Sequence, residues 1–113
     1  GRTNWDLQAT RQKLARLASR QKAVTALVHQ TAMQAARGEN CVREVSMVKA
    51  LAGETVQDIM RECLQLHGGA GYMADHAIER MTRDARILTI GGGVTEVMLE
   101  EVAKRMDKET FND

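Results

Sequence analysis

The sequence predicts an all-α fold, an antiparallel helical bundle of two long and two short helices. Three observations carry that expectation. The 113 residues include no proline and only three aromatic side chains, and the apolar content is Ala, Leu, Val, Ile and seven Met. Ala, Leu and Met are strong helix formers, and proline is the residue that breaks helices. Apolar positions recur at spacings of three and four, with no strand-like alternation anywhere. Glycine clusters, Gly68-Gly69-x-Gly71 and Gly91-Gly92-Gly93, fall where helical patterns stop.

The first helix is expected from about Asn4 to Ala36. Leu7, Thr10, Leu14, Leu17, Gln21, Val24, Val28, Thr31 and Ala35 form one heptad-like seam, roughly 45 Å long at the α-helical rise. Thr3 or Asn4 caps its start, and Asp6 sits favourably in the first turn. Arg37 and Gly38 end it. Gln21 interrupts the seam and is read as a polar residue that sets register.

Asn40 is the next cap, opening a second helix from about Cys41 to Leu66. Val45, Val48, Ala52, Val56, Ile59, Cys63 and Leu66 form one apolar face, and Met47, Leu51, Met60 and Leu64 a second. A helix apolar on two faces is a central one. Lys49 and Glu54 interrupt it and are read as a solvated or interhelical pair. Gly53 marks a close helix–helix approach, since glycine within a helix costs about 1 kcal/mol against alanine.

Asp75 is expected to cap a third, shorter helix through Ile78, Met81, Thr82 and Ala85. Its early acidic and later basic residues suit the helix dipole. After the second glycine cluster, Thr95 or a neighbour opens a final helix along Met98, Val102 and Met106, fraying over Lys108 to Asp113.

Composition excludes several function classes. A net charge of +1, with both signs interleaved, gives no argument for nucleic acid or an anionic membrane surface. No apolar run of about 18 residues is present, so no membrane span is expected, and no signal peptide is visible. Cys41 and Cys63 lack metal or redox spacing and are read as reduced and structural. His29, His67 and His76 lack the spacing of a metal site. Asp75, His76 and Glu79 are explained by a charged first turn. Gly69-x-Gly71-x-x-Ala74 matches the letters of the dinucleotide fingerprint, but that motif needs a preceding strand. A helix C-cap and turn is the reading glycine alone supports. Periodicity and spacing therefore stop at a bundle with two glycine loops, and no nucleophile–base pair or paired carboxylates stand out.

Resemblance carries the reading further. Gln65-x-x-Gly68-Gly69-x-Gly71-Tyr72, then Arg83-Asp84-Ala85-Arg86, then the glycine loop with Thr95-Glu96, resembles the C-terminal domain of the acyl-CoA dehydrogenases. Lys13-Leu14-Ala15 and Ser46-Met47-Val48-Lys49 with Glu54 extend the likeness along nearly the whole chain. The family's fold is an N-terminal helical domain, a middle β domain and a C-terminal helical bundle. The resemblance implies that residues 1–113 are most of that bundle, incomplete on its N-terminal side. Gly1-Arg2 resembles the tail of the family's Arg-x-x-Phe-Gly-x motif, and the missing initiator methionine fits a fragment or a processed product.

The resemblance also implies FAD as cofactor and acyl-CoA thioesters as substrates. The α proton would go to a carboxylate and the β hydride to the flavin. Gln8, Gln65, Leu66, His67, Gly68 and Gly69 match residues that touch the dinucleotide part of FAD held by a neighbouring subunit. Val94, Thr95 and Glu96 match a Thr-Ser-Glu/Gln segment that also meets FAD, and Val94 lacks the hydroxyl. Gly92 occupies the position of the glutamate base found in much of the family, so no catalytic carboxylate is expected in this chain. That departure resembles the isovaleryl- and long-chain-type branches, whose base sits on an earlier helix. Gly92 and Gly93 are then substrate-binding, with the Gly92 N–H polarising the thioester carbonyl. The implied partners are electron-transfer flavoprotein or a similar acceptor, and further copies of the chain in a dimer of dimers. The implied compartment is the cytoplasm in a bacterium or the mitochondrial matrix in a eukaryote. Two alternatives stay open: a relative used for flavin-dependent oxygenation or without activity, and a helical association module only.

Overall fold

A computed structural model describes residues 2–106. Five α-helices follow one another: α1 (Gln8–Ala36), α2 (Val42–His67), α3 (Gly69–Tyr72), α4 (Ala77–Ala85) and α5 (Thr95–Met106). Two 3-10 turns, Asn4–Asp6 and Arg86–Thr89, precede α1 and follow α4. No strand occurs among the described residues. The expected all-α bundle is therefore found, and its two long helices are α1 and α2. The expected fraying of Lys108 to Asp113 lies outside the described residues.

The chain enters α1 later than the seam predicts. Asn4–Asp6 form a 3-10 turn, and the Thr3 N–H donates to Asp6 Oδ2 at 2.7 Å. Leu7 is extended (φ −87°, ψ 124°), so the α-helix proper begins at Gln8. At the other end Arg37 is the C-cap and Gly38 enters the left-handed region at φ +77°. The Gly38 and Glu39 N–H groups then close on the Ala35 and Gln34 carbonyls at 3.0 and 3.1 Å. The expected helix stop holds.

Cys41 rather than Asn40 is the N-cap of α2, although Asn40 Oδ1 still accepts from the Val42 N–H at 3.3 Å. The helix runs one residue past Leu66, to His67. As its two apolar faces predict, α2 is central: α1, α3, α4, α5 and the turn Arg86–Thr89 all pack on it. The residues it buries most deeply are nevertheless small or polar, namely Arg43, Ser46, Ala50, Gly53 and Thr55. Val45 and Leu51, assigned to apolar faces, are 50% and 45% exposed. Small side chains sit where neighbouring backbones come close, and the larger ones flank the approach. Gly53 is the clearest case: an added Cβ would lie 3.1 Å from the Leu88 carbonyl oxygen and 2.9 Å from Thr89 Cγ2. The close approach expected at Gly53 is real, and the partner is the 3-10 turn Arg86–Thr89.

α1 and α2 run antiparallel, clipped by Lys13–Glu62 at 3.0 Å and Arg20–Asp58 at 2.8 Å. Only Leu17 and Thr31 of α1 are buried, and Leu7, Gln21, Val28 and Ala35 of the expected seam are exposed. Half of the seam thus faces outward.

Three further expectations are corrected. His76, not Asp75, caps α4: its Nδ1 accepts from the Ile78 N–H at 3.2 Å. Lys49 pairs with the Leu88 carbonyl (2.7 Å) across the bundle, and Glu54 is exposed. The glycines after His67 form not a loop but a pivot and a helical turn. Gly68 reverses the chain at φ +62°, and Gly71 is buried so tightly that a Cβ would stand 2.8 Å from the Leu64 carbonyl oxygen. Cys41 and Cys63 are free thiols, each half-buried.

Candidate functional site

The first set of expected site residues gathers at one end of the α1–α2 pair. Gln8 is the first residue of α1, and Gln65, Leu66 and His67 are the last of α2. Antiparallel packing brings these ends together, and Asn4 Nδ2 donates to the Leu66 carbonyl at 3.1 Å. Gln8, Gln65 and His67 are exposed. Nothing lies within 4 Å of a Cβ placed on Gly68 or Gly69, so this stretch of backbone is open to an approaching molecule. His67 Nδ1 donates to the Cys63 carbonyl at 2.7 Å, and its ring meets that of His76 edge-on at 4.6 Å. That contact fixes the end of α2 against the start of α4. The sequence gives no hint of it, because the two histidines sit nine positions apart across a chain reversal.

The second set lies elsewhere. Gly92 stands beside the middle of α2: a Cβ there would be 4.0 Å from Lys49 Cε. Lys49 and Gln65 are separated by about 24 Å along the helix at its standard rise. Within one chain the two glycine stretches are thus separate surfaces. Gly92 and Gly93 adopt φ +74° and +113°, conformations that side chains rarely take. Gly92 is exposed, Gly93 and Val94 are half-buried, Thr95 is buried and Glu96 is exposed. Thr95 Oγ1 is buried without a hydrogen-bond partner among the described residues, a state that a bound polar group would relieve.

Sequence reasoning foresaw the close approach at Gly53 but missed that Lys49 and Gln57 hold this second stretch with it. Lys49, Gly53 and Gln57, spaced by four on one stripe of α2, all meet the segment 85–89: Lys49 at the Leu88 carbonyl, Gly53 at Leu88 and Thr89, and Gln57 Nε2 at the Ala85 carbonyl. The spacing was readable, but its polar members looked like a solvated face. Two charge clusters elsewhere are local to their own helices. A bidentate pair with Glu79, at 2.5 and 3.2 Å, raises the Arg83 pKa above its ordinary value. The hydrogen bond from Arg105, with Lys104 nearby, lowers the Glu101 carboxyl. Among the described residues no three His, Cys, Asp or Glu side chains converge on a common point, and no helix is long and apolar enough to cross a membrane.

Comparison with known proteins places the chain. The family profile described as "Acyl-CoA dehydrogenase, C-terminal domain" matches residues 1–107. A 3-(aryl)acrylate reductase of Clostridium sporogenes is 38% identical over 89% of this chain and 27% of its own length. The mitochondrial short/branched chain specific acyl-CoA dehydrogenase of Rattus norvegicus is 31% identical over 96% of this chain and 25% of its own. The crystal structure of an acyl-CoA dehydrogenase from Geobacillus kaustophilus superposes with a TM-score of 0.89 at 31% identity, covering 91% of this chain and 27% of that one. The chain thus spans about a quarter of the length of the relatives it matches. With its all-helical architecture and both glycine stretches inside the matched residues, the chain belongs to the acyl-CoA dehydrogenase family, as its C-terminal helical domain.

Proposed function

We propose that this chain is the FAD-binding and oligomerisation domain of a flavoenzyme that oxidises acyl-CoA thioesters to 2,3-enoyl-CoA. The observation that carries the reading is the family profile matching residues 1–107, a span that includes Gln8, Gln65–Gly69 and Gly92–Glu96. FAD, when bound, supplies the acceptor for the β hydride. The residues present fit such a group. Gln8 and Gln65 offer carboxamides that both donate and accept, beside the open backbone of Gly68 and Gly69. Leu66 and His67 frame that end. The Thr95 hydroxyl, buried without a partner among the described residues, has capacity for one more hydrogen bond, and Val94 and Glu96 flank it.

The placing of the two surfaces at different levels of α2, about 24 Å of helix rise between Lys49 and Gln65, accords with two copies sharing cofactors, Gln8 and Gln65–Gly69 meeting FAD held by a neighbouring subunit. Gly92 and Gly93 face the substrate, and the Gly92 N–H donates to the thioester carbonyl as enolate character develops. Glycine at 92 cannot take the α proton, so the base is a carboxylate outside this chain, as in the isovaleryl- and long-chain-type branches. Electrons leave to an electron-transfer flavoprotein or a similar acceptor. The compartment is the cytoplasm or the mitochondrial matrix, according to the source.

One observation favours a second reading. The Clostridium relative is named as a reductase, and the same groups serve the reverse reaction, reducing an enoyl compound with hydride from the flavin. The test is α-proton exchange in the full-length flavin-loaded protein, with the acidic residues upstream of this chain replaced one at a time. Loss of exchange in one variant, with flavin retained, is the expected result. Exchange that persists in every variant overturns the assignment of the base.

A further inference from the structure

The glycine loop between the turn Arg86–Thr89 and α5 has little of its own to hold it. Gly92 and Gly93 lie at positive φ, where backbone freedom is greatest. On its N-terminal side the loop hangs from the turn, through Ile90 N–H and Gly91 N–H donating to the Ile87 carbonyl at 2.9 and 2.7 Å. Where the turn sits therefore decides where Gly92 sits. The turn itself is gripped from α2. Lys49 Nζ donates to the Leu88 carbonyl at 2.7 Å, a charge-assisted bond on a half-buried side chain. Gln57 Nε2 donates to the Ala85 carbonyl, two turns further along the same stripe. Between them Gly53 lets the Leu88 backbone and the Thr89 side chain come into contact with the helix. Both accepting carbonyls belong to the end of α4 and its 3-10 continuation, where intrahelical donors run out. The Lys49 stem also passes Gly92, with Cε 4.0 Å from a Cβ placed there.

We infer that Lys49 and Gln57 are positioning residues: they fix the segment 85–89 on α2 and so hold the Gly92 N–H where the thioester carbonyl is met. The inference rests on the proposed role of the glycine loop. A lysine kept only for solubility would leave its ammonium in water, and a structural glutamine would not need a lysine partner eight residues away gripping the same turn.

The test uses the full-length flavin-loaded protein with Lys49→Met, Lys49→Arg and Gln57→Met, each checked for unchanged helix content. Amide hydrogen exchange reads the positioning directly. In Lys49→Met it is expected to speed by about tenfold over residues 88–96, the scale of one lost charge-assisted hydrogen bond, and to stay unchanged over residues 65–72. Flavin reduction by isovaleryl-CoA or palmitoyl-CoA should lose about tenfold in kcat with little change in KM, because a displaced oxyanion donor acts on the transition state. Lys49→Arg, which keeps a charged donor, is expected to restore most of both. Unchanged exchange over 88–96 in Lys49→Met overturns the positioning; if that variant does not fold, Gln57→Met decides the same point. Faster exchange with unchanged kcat overturns instead the reading of the loop as facing the thioester.

Discussion

Asn4 Nδ2 donates to the Leu66 carbonyl at 3.1 Å, joining residues 62 positions apart. The bond satisfies one of the last carbonyls of α2 and locks the entry of α1 onto the end that carries Gln8 and Gln65. Asn4→Ala leaves that carbonyl to water. Because the site is exposed, the expected loss of stability is at most about 1 kcal/mol. Urea unfolding followed by circular dichroism measures it, and an unchanged midpoint would show that the tie is not formed in solution.

Gln65→Ala probes the cofactor reading at the same end. The Gln65 side chain is exposed, so its removal should leave the fold intact. In the full-length protein FAD retention should weaken by about 1 kcal/mol or more, the scale of one hydrogen bond. Equilibrium dialysis of the flavin against wild type is the measurement. Equal affinities would remove Gln65 from the site.

Gly53→Ala sets two effects of opposite sign against each other. Helix propensity favours alanine by about 1 kcal/mol. Against that, the new methyl would stand 2.9 Å from Thr89 Cγ2 and 3.1 Å from the Leu88 carbonyl oxygen, and overpacking costs about 1–3 kcal/mol. The Leu88 backbone is held by Lys49 and cannot yield freely, so net destabilisation is expected. A raised thermal midpoint in this variant would mean that the turn Arg86–Thr89 moves aside without cost.

Much of this fold was legible because helix periodicity and glycine punctuation are local signals. Gly38 at φ +77° and the central place of α2 followed from such patterns. What was misread depended on contacts between distant positions. Asp75 was the better cap by residue type, yet His76 takes the role, its ring also lying against His67 across the Gly68 reversal. Lys49 was read with Glu54 as a solvated or interhelical pair, because only the folded chain brings the Leu88 carbonyl within 2.7 Å of its ammonium. The site residues were named from resemblance, and nothing in their spacing announced that the two glycine stretches would meet α2 at positions as far apart as Lys49 and Gln65.

The acid limb of stability should carry a contribution from α5. Glu101 is held below its ordinary value of 4.5, first by the Arg105 hydrogen bond and then by Lys104. A carboxyl depressed in the folded state stabilises fully above its unfolded pKa and loses that contribution as pH falls through the lower folded value. Stability of the wild type should therefore begin to fall below pH 4.5, while Glu101→Gln should be flatter over that interval. Carbon-detected titration of Glu101 checks the direction, and a midpoint at or above 4.5 would contradict it.

The last expectation concerns association of the 113-residue chain by itself. Among the described residues the buried apolar ones are Leu17, Ala50, Ile78 and Ala85, a thin core for a domain of this length. Among the described elements, α1 packs chiefly against α2 and the Asn4–Asp6 turn. Val24, Leu27 and Leu51 line a groove of about 350 Å³ between the two long helices, and Val28 is 38% exposed. A monomer seldom leaves a continuous apolar surface of this kind in water. A second copy is the apt cover, since antiparallel helices present the same seam and an isologous contact buries it twice. The chain should therefore be helical and self-associated at micromolar concentration. FAD should bind it weakly or not at all, because the chain spans about a quarter of the length of its relatives and the middle domain that the resemblance implies would supply most flavin contacts. Dehydrogenase activity should be absent, because the proposed base and the acyl pocket lie outside these 113 residues. Sedimentation equilibrium is the test, with Leu27→Glu as the variant that should shift the chain toward monomer. A compact, well-folded monomer in the wild type would show that these grooves need no partner.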